Sequence, residues 1–230
     1  MAIARPDMIQ RLSTDRLIRV YVGTEDCEPF LVQQTLLETV SEYFVNALKP
    51  DRFKEGQEGC LFFPEDDILA WDVLMDWLFN GRVLDEDEGV EQLLAVKCWV
   101  LGDKYGISRF QDDVMFDLLN DIAISSAFPD VIREAFVSAP PGSATRMLMA
   151  EEAFGWWDAD ELEVVFEEFG ATKFIGDLIA AKVQYEDGDE KRDRFLPFWR
   201  GVQRKAQEPL WTSYMVGDGA ERLKARVKKD

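Results

Sequence analysis

At 230 residues, 47% hydrophobic and 12% aromatic, the chain has enough apolar surface for one large or two small packed domains, and this excludes a disordered polymer. It contains no histidine, which removes Ser-His-Asp and Cys-His nucleophile pairs, histidine zinc sites and the commonest proton shuttle at neutral pH. The formal net charge is −19; acids dominate through residue 190 and bases over 191–230, and so acidic a body repels a phosphate backbone, predicting no nucleic-acid partner.

No stretch approaches the roughly 18 to 20 consecutive apolar residues that cross a bilayer. Met1 to Leu12 carries Arg5, Asp7 and Arg11 where a secretory signal needs an apolar run. The expectation is an intracellular chain, in cytoplasm or nucleus, with no membrane partner. Cys27, Cys60 and Cys98 are widely spaced and form no C-x-x-C pair. They predict neither a disulfide framework nor a cysteine zinc cluster, and they suit a reducing compartment.

From Leu17 to Gly23 large apolar and polar residues alternate and stop on glycine, the pattern of a half-buried strand; Phe30 to Val32 follows after a polar turn and completes a hairpin. Thr35 to Leu48 has helical spacing through Leu36, Leu37, Val40, Phe44 and Leu48, with Ser41 placed to cap a second helix at Glu42 and Pro50 to stop it. Cys60 to Phe63 reads as a strand, after which Asp66 or Asp67 can cap a helix. Trp71, Leu74, Met75, Leu78 and Phe79 form its apolar stripe, and Gly81 ends it.

Asp85 to Glu88 reads as a solvated connection, since it lacks the ligand spacing and central glycine of a calcium loop. Val90 to Tyr105 resumes helical spacing through Leu93, Leu94, Val96, Val100 and Leu101, with Cys98 as a buried small hydrophobe, until Gly106 breaks it. Ser108 to Ile122 is amphipathic, presenting Phe110, Val114, Leu118 and Ile122. Asp112, Asp113 and the acids Glu65 to Asp67 are assigned to helix capping and a wet surface rather than to carboxylate catalysis.

Pro129 and the run Ala139 to Ser143 predict a short helix between them and another after Ser143. Trp156, Trp157, Leu162, Val165, Phe166 and Phe169, extended by Phe174, Ile175, Leu178 and Ile179, read as the core of a helical region. Glu186 to Arg194 reads as a charged loop followed by the aromatic piece Phe195 to Trp199. Arg222, Lys224, Arg226, Lys228 and Lys229 read as a solvated tail rather than an import signal.

Five stretches, in order, resemble one known family. Phe30-x-Val32-Gln33-Gln34-x-x-Leu37-x-x-x-Ser41-x-Tyr43-Phe44 is followed by Phe53-Lys54-Glu55, by Leu61-x-x-Pro64-Glu65-Asp66-Asp67, by Trp77-Leu78-Phe79-x-Gly81, and by Leu101-x-Asp103-Lys104-Tyr105-Gly106-Ile107. Together they resemble the BTB/POZ domain in the short form common among fungal proteins, with Gln33-Gln34 where the family usually has His-Lys. Val131 to Phe136 and Pro141 to Ser143 resemble a segment that follows the domain in many fungal members.

The resemblance implies an α+β fold: a small three-stranded sheet flanked by five or more helices over residues 14–124, then an all-α region over 125–185 and a charged, partly flexible tail over 186–230. It also implies a non-catalytic module for protein–protein interaction, by homo- or hetero-dimerisation or as a scaffold, with no cofactor and no metal. Met8, Ile9 and Leu12 are the candidates for an N-terminal dimer contact, too short for a domain-swapped arm. Gln33 and Gln34 border a partner surface. Some relatives bind a cullin as ubiquitin-ligase adaptors through a hydrophobic-x-Glu tripeptide, which Leu84-Asp85-Glu86 fits. No repeat that would form a separate substrate-recruiting module is present.

Overall fold

A computed structural model describes residues 14–23, 28–83, 90–122, 125, 127–156, 175–181 and 208–227. These residues form a mixed α+β protein with one three-stranded sheet and about ten helices. The chain divides into two compact units, residues 1–84 with 101–107, and 85–100 with 108–230.

In the first unit, β1 (Leu17–Val22) pairs antiparallel with β2 (Phe30–Gln33) and parallel with β3 (Cys60–Phe63), giving the order β2-β1-β3. The alternation in β1 is realised: Ile18, Val20 and Val22 are buried while Leu17 and Arg19 are exposed. Between β2 and β3 lie α1 (Gln34–Val40), α2 (Glu42–Ala47) and α3 (Lys54–Glu58). They carry the crossover that a parallel pair requires.

Ser41 is extended, at φ −151°, and splits the helical span expected from Thr35 to Leu48. Its hydroxyl accepts the Tyr43 N–H at 3.0 Å and donates to the Tyr105 carbonyl. Gln33, at the start of α1, makes no side-chain cap; the Asp15 carboxylate supplies one from outside the helix, accepting the Thr35 N–H at 2.6 Å. Helix α3 was not foreseen, because five residues around Gly56 show no apolar stripe. It is held through its carbonyl end, where the Arg16 guanidinium donates to Gly56 O at 2.6 Å and Gln57 O at 2.8 Å.

Helix α4 (Ile68–Asn80) is capped by Asp67, which accepts the Leu69 and Ala70 N–H groups at 2.9 and 3.2 Å. It ends at Gly81 with φ 72°, a left-handed position that any side chain would strain. Trp71, Leu74 and Met75 of the expected stripe are buried, joined by Ala70, Val73 and Trp77. Leu78 is only half-buried and Phe79 is exposed, so the last turn lies past the edge of the core.

Helix α5 (Gln92–Tyr105) contributes its last residues to the first unit and its remainder to the second. The second unit also holds α6 (Ser108–Ile122), α7 (Pro129–Ser138), α8 (Ala144–Trp156), a helical stretch at 175–181, a 3₁₀ helix (Glu208–Tyr214) and α9 (Gly219–Val227). The expected core positions Phe110, Val114, Leu118 and Ile122 of α6 are all buried. Cys98 is a buried free thiol, as is Cys60 in the first unit.

Helix α8 buries Arg146, Glu151 and Glu152 along with its apolar residues. Each charge meets a different element: Arg146 pairs with Asp177, Glu151 accepts the Tyr214 hydroxyl proton, and Glu152 accepts the Ala127 N–H at 3.3 Å. A buried charge is tolerated only with such partners.

Three expectations are corrected in this unit. Leu178 is buried, but Ile175 and Ile179 are exposed, because the helical turn at 175–181 offers only one side inward. The basic end is not a solvated tail over its described part: Arg222, Lys224 and Arg226 lie on α9, whose Leu223 is buried. Asp112 is not on a wet surface; it is buried. Lys228 and Lys229, the acids 85–88, Trp157 and the cluster to Phe174, and the segments 186–194 and 195–199 lie outside the described residues. No described helix is long and apolar enough to cross a membrane.

Candidate functional site

The signature residues of the first unit converge on one buried hub. The Asp66 carboxylate accepts from the Tyr105 hydroxyl at 2.6 Å, the Trp71 indole N–H at 2.9 Å and the Lys104 ammonium at 2.6 Å. Asp66 therefore anchors β3 to α5 and α4, while its neighbour Asp67 caps. Around this hub Phe63 stacks on Trp71 at 4.8 Å, Phe44 lies 5.7 Å from Tyr105, and Tyr43 lies 5.0 Å from Tyr105. Val32, Leu37 and Trp77 are buried in the same unit, Phe30 is half-buried, and Asp103 is exposed.

Burial, followed by the hydrogen bond and charge of Asp66, pushes the Tyr105 phenol well above its ordinary value of 10.0. Burial also raises Tyr43. Below about pH 10 the phenol is neutral in folded and unfolded chains alike; above it only the unfolded phenol ionises, so the unfolded chain binds fewer protons and stability falls as pH rises. The urea midpoint is expected to drop between about pH 9 and 11, and less steeply in Tyr105→Phe. Equal slopes in the two proteins would assign the alkaline loss to other groups.

In the second unit Asp112 of α6 receives four contacts from three backbone N–H groups: Val216 at 2.7 Å, Gly217 at 3.0 and 3.1 Å, and Gly219 at 2.7 Å. This caps the N-terminus of α9 with a carboxylate from another helix. Arg222 pairs with Asp113 and, at 2.9 Å, with Asp218. Burial alone would lower the Arg222 guanidinium, but Asp113 first, then Asp218 and Asp112, raise it above its ordinary value. These carboxylates hold helices together, and among the described residues no group of His, Cys, Asp and Glu is disposed to hold a metal ion.

Among the described residues, the outer face of the sheet carries one group of exposed apolar side chains. Leu17, Leu31 and Phe62 are 54%, 57% and 56% exposed, on three different strands. Phe62 stacks against Tyr21, its register partner, at 4.8 Å and 6°. Contiguous exposed aliphatic and aromatic side chains of this kind mark interaction sites more than isolated ones do.

Of the residues expected to meet partners, Gln33 lies at the rim of this face, half-buried, with its Oε1 lacking a hydrogen-bond partner among the described residues. Gln34 turns away to bond Glu38 at 2.6 Å along α1. Met8, Ile9, Leu12, Leu84 and Glu86 lie outside the described residues. Leu17, Leu31 and Phe62 were missed as a group. The signal was present in the strand alternation, which sets apolar residues on both faces, but three separated strands reveal a shared patch only once their register is known. The sequence matches no protein-family model and no curated protein.

Proposed function

We propose that the chain is a protein-interaction module of the BTB/POZ type, working by surface complementarity as a dimerisation or scaffold element and making or breaking no covalent bond. The ordered motifs support the family assignment, and the hub supports reading them as fold determinants: Lys104 and Tyr105 donate to Asp66, Phe44 and Tyr105 pack against Trp71, and Ser41 and Tyr43 contact Tyr105. The free thiols Cys60 and Cys98 suit a reducing, intracellular setting.

The observation that carries the interaction reading is the exposed apolar outer face of the sheet. Phe62→Lys on this face is expected to weaken partner capture or self-association by about 30-fold, the range of an interface hot spot. Its unfolding midpoint should stay close to wild type, because the side chain is exposed. Light scattering and affinity capture, run on wild type and variant, check this. A strict monomer whose captured proteins do not depend on Phe62 would count against the reading.

A further inference from the structure

Among the described strand residues, the outer face carries one charge. Arg19 sits on the central strand β1, exposed, with Leu31 and Cys60 opposite it in register on the two sides and Leu17 and Tyr21 two positions away along the strand. Among the described residues its guanidinium makes no hydrogen bond or ion pair. Lys104, Arg146 and Arg222 are each paired with an acid, whereas Arg19 shares the lack of an ion pair among the described residues with Arg52 and Arg109. What sets Arg19 apart is its place on a strand amid the exposed side chains of Leu17, Leu31 and Phe62. None of the outward positions Leu17, Tyr21, Leu31, Gln33 and Phe62 is acidic, and Cys60, opposite Arg19 on β3, is buried.

A guanidinium offers a planar fork of donors that matches a carboxylate, and arginine amid aromatic side chains is the composition of an interface core. We infer that this face docks a segment of another protein in which one carboxylate, placed to meet Arg19, is flanked on both sides by aliphatic or aromatic side chains. A second copy of the chain is the poorer occupant. A two-fold contact would set Arg19 against an identical face that has no acid to receive it.

The inference rests on the interaction reading above and adds the partner's chemistry. The test selects peptides from a random displayed library on the immobilised full-length protein and measures the best binders by fluorescence anisotropy. The expected consensus is an acid between apolar residues. Arg19→Glu should weaken these peptides by about 30-fold and favour versions in which the acid is replaced by lysine, while its urea midpoint stays near wild type.

Peptides that need Phe62 but carry no acid, or that ignore Arg19→Glu, would overturn the inference and leave the interaction reading standing. No selectable peptide together with no Phe62-dependent capture would sink both. Binding that appears only after residues 1–13 are removed would make the chain's own N-terminus the occupant, and a dimer abolished by Arg19→Glu would make it a second copy. Either result rejects the partner proposed.

Discussion

Asp112→Ala is expected to cost about 3–5 kcal/mol and to free the segment 208–227 from α6, because it removes one side of a buried, charge-assisted set of hydrogen bonds. The carboxylate is buried and receives the N–H groups of Val216, Gly217 and Gly219. Three donors at the start of α9 would lose their acceptor together, at a site where water has little access. The positive end of the helix dipole adds to the attraction that is lost. Trp211 and Tyr214, buried on the same segment, would no longer be held in register.

Two further variants separate the cap from general core damage. A Cβ on Gly219 would stand 2.7 Å from Asp112 Cγ, and one on Gly217 would stand 2.8 Å from its Oδ2. Gly219→Ala should therefore destabilise by driving the carboxylate off its donors while leaving Asp112 in place. Asp112→Asn keeps the shape and one acceptor oxygen and should fall between wild type and alanine. Urea unfolding gives the magnitude. Limited proteolysis gives the location, with new cleavage expected within 208–227. A loss below about 1 kcal/mol, or cleavage elsewhere, would rule out the cap as the main attachment.

This attachment shows where sequence reading stops. Asp112 was legible as a capping residue, but it caps a helix more than a hundred residues away, and no local pattern encodes that partner. The glycines at 217 and 219 punctuate the chain without saying that a carboxylate needs the space. Asp66 and Asp67 present the same problem at short range: adjacent identical residues, one bonding the first turn of its own helix and the other reaching α5. Local features read well. The β1 alternation, the Ser41 cap, the Gly81 stop and the α6 stripe each depend on contacts within a few residues. Helix α3 did not, since Arg16, some forty positions upstream, holds its end.

The outer sheet face was legible in part. Strand spacing places Leu17, Arg19 and Tyr21 on one side of β1, but whether that side is covered depends on what packs there, which a single strand does not encode. The inner face is buried. On the outer face Leu17, Leu31 and Phe62 stay exposed among the described residues, and only the register brought Phe62 beside Tyr21.

Trp71→Ala is expected to cost about 3–5 kcal/mol, the range for deleting a large buried aromatic. The ring is fully buried, stacks on Phe63 and contacts Phe44 and Tyr105 at 6.4 and 5.6 Å. Its indole N–H is also one of three donors to Asp66. Since this loss approaches the whole stability of many domains, Trp71→Phe is the companion variant: it keeps most of the packing and drops the donor. Tyr105→Phe alone should cost about 1 kcal/mol, because Asp66 keeps the Trp71 and Lys104 bonds. With both phenylalanines Asp66 retains Lys104 alone, so the double variant should lose more than the two single losses added, by about 0.5 kcal/mol or above. Strict additivity in urea unfolding would mean that Asp66 is not the shared acceptor joining α4 to α5. A coupling in the expected direction would show that the Asp66-x-x-x-x-Trp71 and Lys104-Tyr105 motifs act as one energetic unit of the fold.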